Sequence, residues 1–400
     1  MDSITMQTQS KADSSTGAKL IAATRAIAPI IREAAGTIEQ TKKLPQHVFE
    51  AIADAGLFQT MIPKAAGGFE LDFPSFATIL EIVALADASA AWCVSQGSIF
   101  SGTYAARMPV AVARKLFIDT PRAVAANTPT PTAKAVVVPG GYRVTGRCGF
   151  SSGSPHAAWI APQAQVVEDG QTRMIDGKPH IIYCFVPHEQ AEIHDSWKVR
   201  GMRGTGTNDF SVNDVFVPEE RTVPYANAPV LHEGPVYKIA RSLYFATGDA
   251  LCALSCARNA LEAFYELAGS KAPRYQTNLL RDLPATQLTV GKCEITIRSA
   301  RLYLFDAVQK IWDDTLANGT PQMDARTNLR IATTHAIHQA AEVVRQVYLA
   351  AGATVVFEGN VIQRMFQDVN VITQHVQARF QHYDTVGRYV LGVPFEEQHL

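Results

Sequence analysis

The stretch GYRVTGRCGFSSGSPHAAWI, residues 141–160, decides how the rest of the chain is interpreted. A Gly-Gly pair at 140–141 is a hairpin-type turn signal, and the alternation that begins at Tyr142 is typical of a β-strand. This predicted strand leads into an aromatic residue, two hydroxyls and a glycine, FSSG at 150–153. Such a group of small donors and backbone N–H groups suits a flat, heteroatom-rich ligand, although Ser-Ser-Gly also occurs as an ordinary surface turn.

The composition is that of a globular protein of 400 residues, long enough for two or three domains. Hydrophobic residues make up 47% of the chain, charged residues 18%, and the formal net charge is −1. This balance argues against the basic surface of a nucleic-acid-binding or membrane-surface protein. The six cysteines are scattered without a CxxC pair, which indicates a reducing, cytoplasmic setting.

Several other features of the sequence narrow the class of protein. The polar residues 1–17 lack the apolar core of a signal peptide, and no apolar run approaches the length that spans a membrane. No group of histidines, cysteines and carboxylates has metal-ligand spacing, so no metal site is predicted. We interpret His156, His382 and His399 as structural residues.

The hydrophobic periodicity changes twice along the chain and predicts three domains. Residues 18–118 carry apolar residues at helical spacing, including an Ala/Leu/Ile-rich helix over Phe76–Trp92. Residues 119–228 contain short β-branched runs separated by Gly, Pro, Asn and Asp, which predicts a small antiparallel β barrel or sandwich. Residues 235–396 return to the helical period with three apolar stripes, which indicates an antiparallel helical bundle.

This order of helices, β domain and helices, together with four motifs, resembles the acyl-CoA dehydrogenase fold over essentially the whole chain. The motifs are PKAAGGFELD at 63–72, FSSG at 150–153, GMRGTGTNDFSVNDVFVP at 201–218, and Arg274. The resemblance implies a mainly α fold with a central β domain, a C-terminal four-helix bundle and a homotetramer. It also implies that Arg274 reaches the flavin phosphate of a neighbouring subunit. The family's Phe-Gly after this arginine is replaced by Tyr-Gln-Thr-Asn, which is compatible with FMN.

The segment RMFQDVNVITQHVQAR, residues 364–379, distinguishes two chemistries within this fold. Most dehydrogenases of the fold carry an Arg-Asp pair here, followed by a glutamate that removes the α-proton of the substrate. Aligning Gln367-Asp368 with that pair places Val376 at the glutamate position, and a valine cannot accept a proton. The other usual position of the glutamate, before an arginine on the first long helix of the bundle, reads Ala240-Arg241. The residue directly before Val376, where the glutamate is missing, is His375.

GMRGTGTND and the QHV around His375 together resemble the flavin-dependent two-component monooxygenases of this fold. That group includes the oxygenase components of p-hydroxyphenylacetate hydroxylase, dibenzothiophene monooxygenase and secosteroid hydroxylases. The resemblance implies an oxygenase component that receives reduced FMN or FADH2 from a separate NAD(P)H flavin reductase. With O2, through a C4a-hydroperoxyflavin, it would hydroxylate an aromatic or heteroaromatic small molecule. The alternatives are an acyl-CoA dehydrogenase-type flavoprotein with a relocated base and a catalytically silent flavoprotein.

Ser152 and His375 are the predicted catalytic residues, because in the resembling group a serine and a histidine flank the reactive part of reduced flavin. A small hydroxyl can bond to the flavin without crowding it, and imidazole has an ordinary pKa of about 6.5, close to neutrality. If the helix continued, Arg379 would lie one turn beyond His375 and disfavour its protonated form. Predicted cofactor contacts are Phe150, Ser151, Ser152, Thr128, Trp197, Thr207 and Arg274, and predicted substrate contacts are Trp92, Phe100 and His375.

Each of these residues also has an ordinary structural interpretation. His375, Trp197, Trp92 and Phe100 could fill a core or an interface. The serines and threonines could form turns or caps, and Arg274 could be a surface cation. The position of each residue within the resembling motifs favours the functional interpretation for Ser152, His375 and Arg274.

Overall fold

A computed structural model describes residues 16–397 and residue 400. The polar segment up to residue 15 and His399 lie outside the described residues. The N-terminal helices are α1 (Thr16–Glu33), α2 (Ala35–Thr41), α3 (Gln46–Asp54), α4 (Phe73–Ala86), α5 (Ala88–Ala105) and α6 (Val110–Phe117).

The helix predicted over Phe76–Trp92 is two helices, α4 and α5, so that prediction is wrong. They are separated at Asp87, whose backbone is extended, with φ −159° and ψ 125°. Its carboxylate accepts a hydrogen bond from the backbone N–H of Ala90 at 2.9 Å. An aspartate in this position satisfies one of the N–H groups that lack partners at the start of a helix. α5 begins at this cap and carries Trp92 in its first turns.

The central β domain is mostly antiparallel. Its main sheet has the strand order β11-β12-β3-β2-β5-β9-β13, with β6 pairing with β5. The predicted hairpin joins β2 to β3, with Gly140 at φ +80° and Val138 opposite Gly141. Two pairs, β1–β4 and β2–β5, are parallel, which the prediction of an antiparallel domain did not include. The strands are β1 (Ala125–Asn127), β2 (Ala133–Val138), β3 (Gly141–Ser151), β4 (Trp159–Ala161), β5 (Gln163–Glu168), β6 (Gln171–Thr172), β7 (Met174–Ile175), β8 (Lys178–Pro179), β9 (Ile181–Cys184), β10 (Val186–Pro187), β11 (Glu192–His194), β12 (Asn208–Pro218) and β13 (Thr222–Pro224).

The C-terminal part returns to helices, and the predicted fold class, helices on both sides of a β domain, is confirmed. The stripe of alanines predicted on the first long helix is buried, and one hydrophobic core runs through all three parts of the chain. All six cysteines are buried and free. In the described part of the chain, no helix has the length and apolarity needed to cross a bilayer. The helices are α7 (Arg241–Ser270), α8 (Pro284–Asn318), α9 (Met323–Ala351), α10 (Val361–Ile372) and α11 (Gln381–Val390).

α5 and α7 pack against each other in antiparallel directions, and this pair positions the candidate site. Near the start of α5, the carbonyl of Ala88 accepts a hydrogen bond from the thiol of Cys252 at 3.5 Å. At the other end of α5, the hydroxyl of Tyr104 accepts a hydrogen bond from Arg241. Between these points the helices are so close that a Cβ on Gly248 would lie 2.1 Å from Oγ of Ser95. A larger residue at position 248 would therefore have to displace the side chain of Ser95.

Candidate active site

His375 lies in a short loop after α10. The helix ends at Ile372, and the backbone of His375 is extended, with φ −70° and ψ 152°. Arg379 is therefore not one turn further along the same helix. The imidazole points towards α7, where its Nδ1 lies 2.5 Å from Oδ2 of Asp249. The Asp249 side chain has no exposed surface, whereas that of His375 is 33% exposed.

Asp249 reverses the charge effect that the sequence predicted for His375. Burial lowers the pKa of His375, the carboxylate of Asp249 raises it, and Arg379 lowers it; the net result is a pKa above 6.5. The prediction that Arg379 keeps this imidazole unprotonated is therefore wrong. Because the nearby carboxylate favours a proton on Nδ1, the neutral ring offers Nε2 as its acceptor.

Sequence reasoning missed Asp249, although the sequence contains a signal for it. Asp249 is the single acidic residue between Arg241 and Ala257, in a stretch otherwise made of apolar and small side chains. An acid that a helical stripe buries must find a partner in the fold. The partner comes from a loop 126 positions later in the chain, so helical periodicity could not identify it.

Trp92 connects His375 to the β domain. Its indole ring meets the imidazole edge to face, with ring centroids 5.2 Å apart and an interplanar angle of 80°. Its Nε1 donates a hydrogen bond to Oγ of Ser152 at 3.1 Å. The structure thus brings three predicted residues together from α5, from the end of β3 and from the loop after α10.

A row of hydroxyls continues from Ser152, and its direction is fixed by its two ends. Oγ of Ser152 lies 2.9 Å from Oγ1 of Thr207, which lies 2.6 Å from Oγ1 of Thr205. Thr205 donates to the carbonyl of Met202 at 2.8 Å, and a carbonyl can only accept. Thr205 therefore accepts from Thr207, and Thr207 accepts from Ser152. Since the indole of Trp92 only donates, Ser152 accepts at one end of the row and donates along it.

Two aromatic rings lie beside this row. Phe150 has a φ of +58°, which is uncommon for a bulky residue, and its side chain is 69% exposed. The ring of Trp197 meets it edge to face at a centroid distance of 6.3 Å. Nε1 of Trp197 donates to the carbonyl of Met202 at 3.0 Å, the same carbonyl that ends the hydroxyl row. A strained, exposed aromatic residue beside an ordered polar row is a geometry typical of ligand sites.

The loop that carries these threonines is held by α10. The backbone N–H of Met202 donates to the carboxylate of Asp368 at 2.6 Å. Burial raises the pKa of Asp368 to about 7, although the bond from Met202 lowers it. A Cβ on Gly201 would lie 2.2 Å from the carbonyl of Gln367, so only glycine allows this approach. The GMRG and QD motifs therefore meet in the fold and position the hydroxyl row.

Two predicted flavin contacts are more deeply buried than the hydroxyl row. Ser151 is fully buried, and its Oγ has no hydrogen-bond partner within the described ranges of the chain. Thr128 is also fully buried, and its Oγ1 accepts a bond from the backbone N–H of Gln163 at 3.3 Å. Their contacts with a flavin stay predictions.

Phe100 and Arg274 lie away from the cluster around Ser152 and His375. Phe100 packs in a separate aromatic group, 4.7 Å from the ring of Tyr104 and 4.9 Å from that of Tyr183. Arg274 is exposed in the loop after α7, with its guanidinium 4.9 Å from the ring centroid of Tyr275. Substrate contact for Phe100 and phosphate contact for Arg274 stay predictions.

Comparison with known proteins supports this organisation. Residues 21–107 match the family model "Acyl-CoA dehydrogenase, N-terminal domain", and residues 247–380 match "Acyl-CoA dehydrogenase, C-terminal domain". An indole-3-acetate monooxygenase from Pseudomonas putida is 30% identical over 362 residues, covering 89% of this chain and 90% of the relative. The oxygenase subunit HsaA of a flavin-dependent monooxygenase from Rhodococcus jostii is 26% identical over 358 residues, covering 88% and 92%.

A solved structure gives the same result for the fold. The crystal structure of the HsaA monooxygenase from M. tuberculosis has a TM-score of 0.83 and 25% sequence identity. The match covers 96% of this chain and 100% of that one. The similarity therefore extends over all three parts of the fold, including the β domain that the two family models leave out.

Proposed function

We propose that this chain is the oxygenase component of a two-component flavin-dependent monooxygenase. The chain belongs to the acyl-CoA dehydrogenase family, and the relatives named above are monooxygenases of that family. Its substrate is an aromatic or heteroaromatic small molecule, which it hydroxylates. This proposal rests on the ion pair of His375 with buried Asp249. Trp92 contacts the imidazole of His375 and also donates a hydrogen bond to Ser152. His375 directly precedes Val376, the position at which the resembling dehydrogenases carry a glutamate.

The residues of the site fit a reduced flavin. Ser152 donates its proton to Thr207, so towards a ligand its Oγ offers a lone pair and accepts from an N–H group. The reduced flavin ring has an N–H at N5, which the oxidised ring lacks. Phe150 and Trp197 provide apolar surface for a flat ring beside this acceptor. We therefore assign Ser152, Phe150 and Trp197 to flavin binding.

When bound, reduced flavin supplies two electrons to O2, so that one oxygen atom enters the substrate and the other leaves as water. Nε2 of His375 accepts the proton of a phenolic O–H or ring N–H as the ring becomes electron-rich. Asp249 stabilises the imidazolium that forms, because its charge lies 2.5 Å from Nδ1 and is shielded from water. Trp92 covers one edge of this imidazole and limits the access of water.

The rival function, an acyl-CoA dehydrogenase with a relocated base, requires a carboxylate that can reach the substrate. Asp249 has no exposed surface, and its oxygen is already engaged by His375. The other usual position of the glutamate is occupied by Ala240, which offers no base, and the neighbouring Arg241 bonds to Tyr104. The side chains of this site therefore favour the monooxygenase.

The partners belong to the same proposal. The reductase is a separate protein that supplies the reduced flavin, and the oxygenase is a homotetramer. Support for subunit contacts comes from α8, where Leu288, Ile295 and Leu302 recur every seven residues and are 60%, 63% and 65% exposed. Such an apolar stripe on a long helix is typical of a face that packs against another helix.

A product assay tests the proposed function. The purified protein is given air, a generic flavin reductase with NADH and FMN or FAD, and indole-3-acetate or a phenol as substrate. We expect a product heavier by one oxygen atom, and no product when the reductase is omitted. Anaerobic bleaching of bound flavin by an acyl-CoA thioester, without oxygenated product in air, would favour the dehydrogenase.

A further inference from the structure

The loop that carries His375 is held by side chains at three successive residues. α10 ends at Ile372, and the backbone N–H of Ala378 donates to the carbonyl of His375 at 3.0 Å, so the loop forms one short turn. The three residues after the histidine each bond to a side chain of α9 or α11; they are Val376, Gln377 and Ala378. The orientation of the imidazole therefore depends on contacts with these two helices.

Two of the three bonds come from histidines. Nε2 of His338, on α9, lies 2.8 Å from the carbonyl oxygen of Ala378. Nε2 of His382, on α11, lies 2.9 Å from the carbonyl oxygen of Val376. Because a carbonyl can only accept, both ring nitrogens carry a proton and donate it. The ring of His338 also stacks on that of Phe380, with centroids 4.2 Å apart. The backbone is thus fixed on both sides of the residue between them.

The third bond comes from Arg330, on α9, and it reaches a side chain. Nη1 of Arg330 donates to Oε1 of Gln377 at 2.8 Å. Arg330 has no exposed surface, and Gln377 is 6% exposed. Of the arginines in the part of the chain that the structure describes, only Arg330 is buried. Removing a guanidinium from water is costly unless its charge and its N–H groups are matched. A buried arginine at this place therefore indicates a specific role.

Arg330 is also related to Asp249, the partner of the imidazole. Burial lowers the pKa of Arg330 to about 10, although the negative charge of Asp249 raises it. α9 packs against α7, which carries Asp249, and against the loop after α10. At neutral pH Arg330 keeps its charge whether or not His375 carries a second proton. One side chain thus bonds to the loop of His375 and acts electrostatically on the carboxylate beside it.

We propose that Arg330, acting through Gln377, is a positioning residue that holds Nδ1 of His375 against Asp249. The proposal rests on the monooxygenase function above and adds residues that touch neither substrate nor flavin. Groups that move protons must stay within about 0.5 Å of their productive geometry, and supporting hydrogen bonds keep them there. Loss of the bond to Gln377 would loosen the loop, weaken the contact with Asp249 and misdirect Nε2. The hydroxyl row would be unaffected, because α10 holds it separately.

Two variants at one position test the bond. Gln377→Leu removes the acceptor of Arg330, whereas Gln377→Glu keeps an acceptor oxygen. The measured quantity is aromatic product formed per flavin oxidised, in air and with a reductase. Gln377→Leu should lower this ratio roughly tenfold to a hundredfold, with hydrogen peroxide formed instead. Gln377→Glu should retain it within about a few-fold. The matched control is Gln374→Leu in the same loop, where Gln374 is exposed and bonds to its neighbour Thr373 at 3.2 Å; it should change nothing.

The pH profile separates positioning from a merely structural role. The charged groups that act on the imidazole are Asp249 from α7 and Arg379 from the loop, while Trp92 on α5 meets it with an uncharged ring. Asp249 raises the pKa of His375, so a loosened contact should lower it. The acidic limb of the product rate in Gln377→Leu should therefore move to lower pH. A loss of product with an unmoved profile, or equal losses in the leucine and glutamate variants, would overturn the proposal.

Arg330→Met tests the donor of the same bond. If Arg330 acts through Gln377, this variant should lower the product ratio to about the level of Gln377→Leu. Combining the two substitutions should then add less than about twofold, because they remove one interaction. Losses that multiply in the double variant would contradict action through Gln377. Should Arg330→Met fail to fold, the leucine and glutamate variants at position 377 decide the proposal by themselves.

Hydrogen exchange tests the holding of the loop without any turnover. Backbone amides of residues 373–379 should exchange roughly tenfold faster in Gln377→Leu than in the wild type, as the loss of one charged hydrogen bond suggests. Gln377→Glu and Gln374→Leu should exchange like the wild type. Unchanged exchange in Gln377→Leu would overturn the proposal. This arm needs no product, so it is separate from the product assay, whose failure would overturn the proposed function.

Discussion

Buried charged groups at the two ends of the α5–α7 pair differ in their partners. At one end the negative charge of Asp249 is matched by His375 at 2.5 Å, within the same chain. At the other end Arg107 and Arg241 line one cavity, where Arg241 contacts Tyr104 and Tyr225 and neither arginine is paired with a described carboxylate. The buried negative charge beside His375 thus has its partner within the chain, whereas the two arginines have no partner among the described carboxylates.

The largest effect on product formation is expected when His375, the partner of Asp249, is replaced. His375→Ala should lower aromatic product by roughly 10²- to 10⁴-fold, the usual contribution of a positioned acid or base. Oxidation of reduced flavin by O2 should continue and yield hydrogen peroxide, since the hydroxyl row is intact. Product is measured by mass spectrometry and peroxide by a coupled assay. His47→Ala, an exposed histidine on α3, is the control, and equal losses in both variants would refute the role of His375.

Asp249→Asn tests the partner of that imidazole. Asp249 holds the pKa of His375 above 6.5, so the basic form becomes available only as pH rises through that raised value. The variant should shift the acidic limb of the product rate to lower pH. It should also lower the plateau by about one order of magnitude, because a less basic imidazole is a weaker proton acceptor. A loss of rate with an unmoved pH profile would indicate a merely structural role.

Changing the direction of hydrogen bonding in the hydroxyl row should have a smaller effect, on the preference for reduced over oxidised flavin. Thr207→Val leaves Ser152 free to donate its proton, so its hydroxyl can also bond to the oxidised ring. We expect the preference for reduced over oxidised flavin to narrow by a few-fold, as the net value of one hydrogen bond suggests. Fluorescence titration of both redox forms measures it. Thr145→Val on the β-domain surface is the control, and an unchanged ratio would contradict the assigned direction.

The smallest effect concerns stability. The pKa of His375 is raised in the fold, so the ion pair with Asp249 stabilises the native state fully below the unfolded value of about 6.5. This contribution is lost as pH rises through the raised pKa of the folded state. The difference in Tm between wild type and His375→Gln should thus be larger at pH 5.5 than at pH 8.5, by about 1–2 °C. A difference in Tm that increases with pH would contradict the ion pair.

The same contrast explains what the sequence could and could not predict. Features set by local pattern were within reach, including the Gly140 hairpin, the change of periodicity between domains and the turn motif at Phe150–Gly153. The break at Asp87 was also readable as a helix cap, but the surrounding apolar period concealed it. Asp249 could not be assigned to His375, because side chains so distant in sequence meet only through the packing of α7 against the loop after α10.

The cavity was beyond sequence reasoning for a related reason. Its wall combines residues from five separate segments of the chain, so no local pattern could identify it. Arg241 stood in the sequence only as the neighbour of a missing glutamate. The fold places the hydroxyl of Tyr104 beside it, and no described carboxylate pairs with it.

One measurement tests the central claim most directly, namely that His375 serves oxygen transfer from reduced flavin to an aromatic ring. Wild type and His375→Ala are given reduced flavin, ¹⁸O-labelled O2 and indole-3-acetate, and the products are analysed by mass spectrometry. We predict one ¹⁸O atom in the product of the wild type, and labelled hydrogen peroxide with almost no product from the variant. Unlabelled product, or equal labelled product from both proteins, would contradict the account.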